Sequence, residues 1–153
     1  MHMIKAEQLK NQVLFQDLDK AGLTKMSKIM KQVSLKKGEQ LFKEKDDTQG
    51  LYLINTGKVE ISRVTADGWR QTLVVLKAGH FFGELSILEK RHHVATAVAL
   101  ENTELFLIPK DDFERLMVED IKLTCNIIKR IAIVMSKNLR QMNDKFLSAL
   151  ISY

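Results

Sequence analysis

The residues of this chain best suited to chemistry lie in Gly79-His-Phe-Phe-Gly-Glu-Leu-Ser86 and, shortly after, in His92-His-Val-Ala-Thr-Ala97. Gly83 lets backbone come close to a ligand, and a carboxylate follows at once in Glu84. The pattern predicts a short helical turn from Leu85, with free N–H groups to face an anion. A carboxylate beside an anion cradle suits a guest offering both sugar hydroxyls and a phosphate. That guest is a nucleotide.

Other chemistries fit less well. His80, Glu84, His92 and His93 are metal-ligand types, and jelly-roll enzymes hold metals with two or three histidines and a carboxylate. In those enzymes, however, a His-x-His pair comes first and the glutamate later. Here the adjacent histidines follow the glutamate, and neighbours on a strand point to opposite faces. No metal is therefore expected. The chain has no nucleophile–base pair and no phosphate loop of the nucleotide-hydrolysing kind, so no enzyme is expected either.

Short alternating runs must position these residues. From about residue 33 to 108 they include Leu51–Asn55, Lys58–Ser62, Gln71–Leu76, Ala95–Leu100 and Glu104–Ile108. Glycines at 38, 50, 57, 68 and 79 punctuate them at intervals of 7 to 12 residues. That rhythm predicts a closed or folded-over antiparallel β-structure, with Asp67-Gly68 as a hairpin turn and Trp69 exposed at its tip. Before the strands, residues 4–32 read as helix with a break near Gly22. After them comes Pro109, and Asp111 or Asp112 is placed to cap a helix running to about 147.

Along that helix Ile121, Cys125, Ile128, Ala132, Met135, Leu139, Met142 and Phe146 recur in steps of 4 and 3. A second apolar stripe, Ile127, Ile131 and Val134, lies on a neighbouring face. A helix apolar on two faces calls for two partners, its own core and a second body; a homodimer through the seam is expected.

A chain of 153 residues is long enough for a real core, and 45% hydrophobic with 28% charged residues is ordinary for a globular protein. The charge of +5 and pI near 9.3 permit an anionic ligand or nucleic acid, but also suit a solvated lysine-rich surface. The single cysteine, Cys125, excludes an internal disulfide and is expected as a small buried hydrophobe. With no leader and no apolar run near ~18 residues, a cytoplasmic protein without membrane contact is expected.

The order of elements resembles the cyclic-nucleotide-binding domain family. That family includes the sensor domain of catabolite-activator-type regulators and the regulatory subunit of cAMP-dependent kinase. Leu14-Phe-Gln-Asp-Leu18 is similar to its opening helix, and Lys37-Gly-Glu-Gln-Leu-Phe42, Asp46 and Leu51 through Ile61 to its β-roll pattern. Gly79 through Leu85 is similar to the start of its phosphate-binding cassette, and Ile108-Pro-Lys-Asp-Asp-Phe113 to the approach to its last helices. Singly each piece is weak; five in order between Leu14 and Phe113 are strong.

The resemblance implies a mainly β fold with flanking helices. This is an antiparallel β-roll or jelly-roll (a double-stranded β-helix) with N-terminal helices over residues 1–117 and a long C-terminal dimerisation helix over 118–153. It implies cAMP or cGMP as ligand, with no metal. Leu85 and Ser86 would donate amides to the cyclic phosphate beside Gly83, and Glu84 would accept from the ribose 2′-hydroxyl. Met142 and Asn143 would lie near the base, Asn143 offering a donor and an acceptor to an adenine edge.

One departure stands out. Where the family closes its cassette with an arginine, matching Ala95-Thr96 to its tail puts His93 in that place; a cassette one residue longer puts Val94 there. Loss of a charge-assisted bidentate contact costs ~1.5–3 kcal/mol, roughly 10- to 150-fold in affinity. Histidine restores part of this when protonated. Lys90 and Arg91 lie close enough in sequence to substitute. Two functions follow: a cyclic-nucleotide sensor of weakened affinity, or a degenerate, nucleotide-free module for dimerisation and protein interaction. A DNA-binding regulator needs a helix-turn-helix domain after the long helix, and seven residues follow Phe146, so operator binding by this chain is not expected.

Overall fold

The computed structural model describes residues 3–152. Two four-stranded antiparallel sheets form the body. The first has the order β1 (Lys31–Leu35), β8 (Thr103–Pro109), β3 (Gly50–Thr56), β6 (Phe81–Phe82). The second runs β2 (Gln40–Phe42), β7 (Thr96–Ala99), β4 (Lys58–Val64), β5 (Arg70–Lys77). This is the antiparallel β-roll with flanking helices and a long C-terminal helix that the sequence implied. All five runs named from alternation are strands. The hairpin turns at Asp67-Gly68, with Gly68 at φ 81° and Trp69 77% exposed beyond it.

Strand alternation builds two apolar layers. On β3, Leu51 and Leu53 point toward the helices, while Tyr52 and Ile54 point between the sheets. On β8, Phe106 and Ile108 face the helices, and Leu105 faces the roll interior. The interior is completed by Phe42, Val59, Phe82 and Ala97. Between β3 and β4 the chain turns at Gly57 with φ 94°, where a Cβ would lie 2.8 Å from Asn102 O. Only glycine makes that turn without moving backbone.

The helix expected over 4–32 is instead three short pieces followed by a strand. They are α1 (Ala6–Leu9), a 3-10 turn (Val13–Phe15) and α2 (Lys20–Ile29), before β1 begins at Lys31. Asp19 starts α2 afresh by accepting from Gly22 N–H at 2.8 Å, so Gly22 lies inside a helix and not at a break. Leu9, Leu14, Phe15, Leu23 and Met26 are all buried nonetheless. The separate turns deliver Leu9, Leu23 and Met26 to one core, and their spacing read as a single helix; Leu14 and Phe15 join that core outside the spacing.

The C-terminal helix is likewise divided. α4 (Lys110–Glu119) is preceded by Pro109 at its cap position, and Asp111 and Asp112 occupy its first turn without capping it. Asp120, at φ −140° and ψ 73°, interrupts the helix, and α5 (Ile121–Ile151) follows. The Asp120 carboxylate caps α5 by accepting from Leu123 N–H at 3.1 Å and pairs with Lys25 of α2 at 2.8 Å. These bonds hold its carboxyl below the usual carboxylate range.

α5 docks through the second apolar stripe. Leu123, Thr124, Ile127 and Ile131 are buried and Val134 packs against them. The seam faces solvent: Ile121 is 71%, Met142 66% and Phe146 65% exposed. Cys125 lies on that exposed face, not in the core. Among the described residues no helix is long and apolar enough to cross a membrane.

Candidate functional site

The site is built where β6 meets α3 (Glu84–Glu89). Phe81 and Phe82 pair with Leu53 and Tyr52 of β3, one side chain entering each apolar layer, which fixes where the next residue emerges. Gly83 then takes φ 88°, and a Cβ there would lie 3.1 Å from Gly50 O. The first α-helical hydrogen bond runs from Ile87 N–H to Gly83 O at 3.3 Å, and Gly83 offers no side-chain cap. The amides of Glu84, Leu85 and Ser86 therefore precede the helical ladder, at the positive end of a short helix.

Glu84 is partly buried here. Burial raises its carboxyl above the ordinary range, and a hydrogen bond from its own backbone N–H draws it back part of the way. α3 closes with Lys90 at φ 53°, and Arg91 N–H bonds to Ser86 O at 3.1 Å.

The chain then returns to the same place. His93 exchanges backbone hydrogen bonds with the 43–46 turn: its N–H donates to Asp46 O at 2.9 Å, and its carbonyl accepts from Lys45 N–H at 2.8 Å. Its ring is 4% exposed and lies flat on Phe42, with centroids 3.5 Å apart and planes 4° from parallel. Nδ1 lies 3.2 Å from Ser86 Oγ, while Nε2 is buried with no hydrogen-bond partner among the described residues. Burial lowers the His93 pKa below its usual 6.5, opposed in part by the Asp46 charge. At neutral pH His93 is uncharged, and its protonated form requires a lower pH than a free histidine would.

The other expected residues divide into two groups. Ala95 is buried beside His93, Val94 is exposed, and Thr96 accepts from Glu44 N–H through its hydroxyl at 3.3 Å. Lys90 and Arg91 do not join Glu84 and Ser86: Lys90 lies 3.8 Å from Glu114, and Arg91 pairs with Glu89. Met142 and Asn143 are exposed on the part of α5 that leaves the body of the chain. His80 and His92 are exposed, and His92 bonds Asp47 at 2.7 Å. Among the described residues no cluster of three or more His, Cys, Asp or Glu side chains is placed to hold a metal.

Sequence reasoning missed the partners of His93. Phe42, Asp46 and the Ser86 hydroxyl are brought to it by pairing between distant strands, and no local spacing signals that. The pattern at Lys37 through Phe42 was visible only as part of the roll.

The sequence model described as "Cyclic nucleotide-binding domain" matches residues 32–120, from the start of β1 to the end of α4. This chain belongs to the cyclic nucleotide-binding domain family. It is 34% identical over 104 residues to the cyclic AMP receptor protein of Thermus thermophilus, covering 68% of this chain and 46% of the relative. It is 32% identical over 112 residues to the anaerobic regulatory protein of Bacillus subtilis, covering 72% and 45%. The crystal structure of the Thermus thermophilus catabolite activator protein superposes with a TM-score of 0.76 at 28% identity, covering 88% of this domain and 62% of that chain. The chain spans about half the length of these curated relatives. The matched segment contains β1–β8, α3 and α4, so the Gly83-Glu84-Leu85 turn lies wholly within the region that defines the family.

Proposed function

We propose that this cyclic nucleotide-binding domain senses cAMP in preference to cGMP, with affinity reduced by the absence of the cassette arginine. The observation that carries the reading is the orphaned Nε2 of His93, on a ring fixed by Phe42 and Ser86. With Ser86 Oγ–H donating to Nδ1, the ring proton sits on Nε2, a buried donor in need of an acceptor. A cyclic phosphate seated on the amides of Leu85 and Ser86 supplies one, and the N-terminus of α3 favours its charge.

Glu84 accepts from the ribose 2′-hydroxyl, which separates ribose from deoxyribose. Val94, Ala95 and Thr96 close the cassette behind His93. Met142 and Asn143 reach a base only from a second copy, because in one chain they stand clear of the roll. The preference for cAMP rests on the donor–acceptor pair of Asn143 and on the printed name of the Thermus relative. The roll over 1–117 would sense, and the helix over 118–153 would report by changing its packing in a homodimer, to the extent that ligand favours one packing. The setting that fits this is the cytoplasm.

A second reading is a nucleotide-free module that keeps fold and seam. The contacts of His93 with Phe42 and Ser86 favour it, since they satisfy part of the cassette from within. A thermal-shift panel of cAMP, cGMP and AMP separates the two. Ligand at 100 times Kd stabilises by about 2.7 kcal/mol, a clear rise in Tm. A shift for cAMP beyond that for AMP supports the sensor. No shift at millimolar concentrations leaves the module without nucleotide.

A further inference from the structure

A hollow beside the roll has a different character from the turn at Gly83. A cavity of about 360 Å3 lies between the Asp47-Thr48 turn, the end of α3 and the start of α4. Its lining is Asp47, Thr48, Lys90, Arg91, His92 and Lys110, and none of Gly83, Glu84, Leu85, Ser86 or His93 takes part. Three permanent cations thus oppose one carboxylate, and that carboxylate is already held by His92 Nδ1 at 2.7 Å. Lys90 and Arg91 are engaged with Glu114 and Glu89, but both pairs are exposed and exchange partners at small cost. Lys110 opens α4, a ten-residue helix, and among the described residues has no carboxylate within ion-pair distance.

The hydroxyl of Thr48 is the telling group. Its Oγ1 is buried and has no hydrogen-bond partner among the described residues, although Thr48 lines a cavity rich in cations. A buried O–H without an acceptor is unfavourable, and a rotation about the Thr48 χ1 bond brings it to the cavity, where an anion provides the acceptor. The volume exceeds that of a bare phosphate and falls in the range of small-ligand pockets.

We propose that this cavity binds a phosphoryl dianion carried on a small phosphorylated molecule, through Lys90, Arg91, Lys110 and the Thr48 hydroxyl. Arg91 offers a planar fork for two phosphoryl oxygens, Lys90 and Lys110 add point charges, and the start of α4 adds its dipole. The site is independent of the cyclic-nucleotide reading, since it shares no residue with the cassette triad of Glu84, Ser86 and His93.

Inorganic pyrophosphate titrated into the full chain by calorimetry at low ionic strength tests it. Saturable one-site binding is expected, weakened about tenfold or more in Lys110→Gln and weakened also in Thr48→Val, with the Tm of the ligand-free variants close to that of the parent. Excess cAMP leaves the titration unchanged. Heat that never saturates, binding that neither variant alters, or displacement by cAMP would each overturn the assignment.

Discussion

His93 is a buried ring, uncharged at neutral pH, and its neighbours fix what it does. The ring is stacked on Phe42 and bonded to Ser86, so it contributes to folding as well as to the site. Because its folded pKa is depressed, the unfolded chain binds the extra proton first as pH falls below 6.5. Its stabilising contribution is complete above 6.5 and declines as pH drops through the window beneath. Urea midpoints at pH 7.5, 6.5 and 5.5 should fall in that order, and His93→Gln should flatten the trend. Nucleotide binding has the same window with the opposite sign, since a phosphate favours the imidazolium. Affinity for cAMP should be level from pH 8 to 7 and rise only below about 6.5, with net proton uptake by calorimetry; proton release there would exclude His93 from the phosphate.

Arginine at the same position should tighten cAMP about tenfold or more, as a fork-shaped cation returns. In the ligand-free protein, however, that cation must be held in a buried place shaped for a flat imidazole on Phe42, and the Asp46 charge offsets its desolvation only in part, so Tm should drop without nucleotide. Glu84 makes the complementary trade. Its raised pKa means that ionising it opposes folding as pH rises from 4.5 through the raised value. Glu84→Gln should therefore leave the ligand-free domain at least as stable while weakening cAMP roughly 10- to 150-fold, a split that paired thermal and binding measurements resolve.

At the scale of elements, the two faces of α5 behave as different materials. Ile131 is 1% exposed against the core under the first sheet, so Ile131→Ala should cost about 2–5 kcal/mol by urea unfolding. Met142→Ala, on the exposed face, should leave the unfolding of the single chain unchanged.

The strands were legible for a related reason. β3, β4, β5, β7 and β8 are long enough for alternation to register. β2 and β6, with three and two residues, are too short, and only pairing with β7 and β3 makes them strands. β1 was partly absorbed into the supposed N-terminal helix, because Met26 and Met30 keep a helical spacing right up to the start of the strand at Lys31. The break at Asp120 carried no glycine or proline to announce it, and the tie to Lys25 is a tertiary fact. At the turn from β6 into α3, Gly83 as the positive-φ residue could be read directly. The burial of His93 could not, since it depends on Phe42 arriving from β2, a strand distant in sequence. Cys125 misled for the converse reason: apolar neighbours suggest a core, but a seam can be apolar and face outward.

Across the whole molecule the outward seam is the least explained apolar surface, with Leu139, Met142, Phe146, Leu147 and Leu150 all more than half exposed. Monomeric proteins rarely leave such a contiguous stripe in water. Sedimentation should give a dimer, and Leu139→Glu combined with Met142→Glu should give a monomer whose roll unfolds at the parental temperature. A parent that sediments as a monomer at high concentration would remove self-association as the role of this face.

Every residue of α5 from Met135 to Ile151 is exposed, so the far half of that 31-residue rod adds no buried side chain to its own chain's core. Most helical stability in proteins comes from tertiary packing, and this segment lacks it within one chain. Its order and its assembly are then one equilibrium: dilution should fray the tip and lower the helical ellipticity while the strands keep theirs, and concentration should restore it.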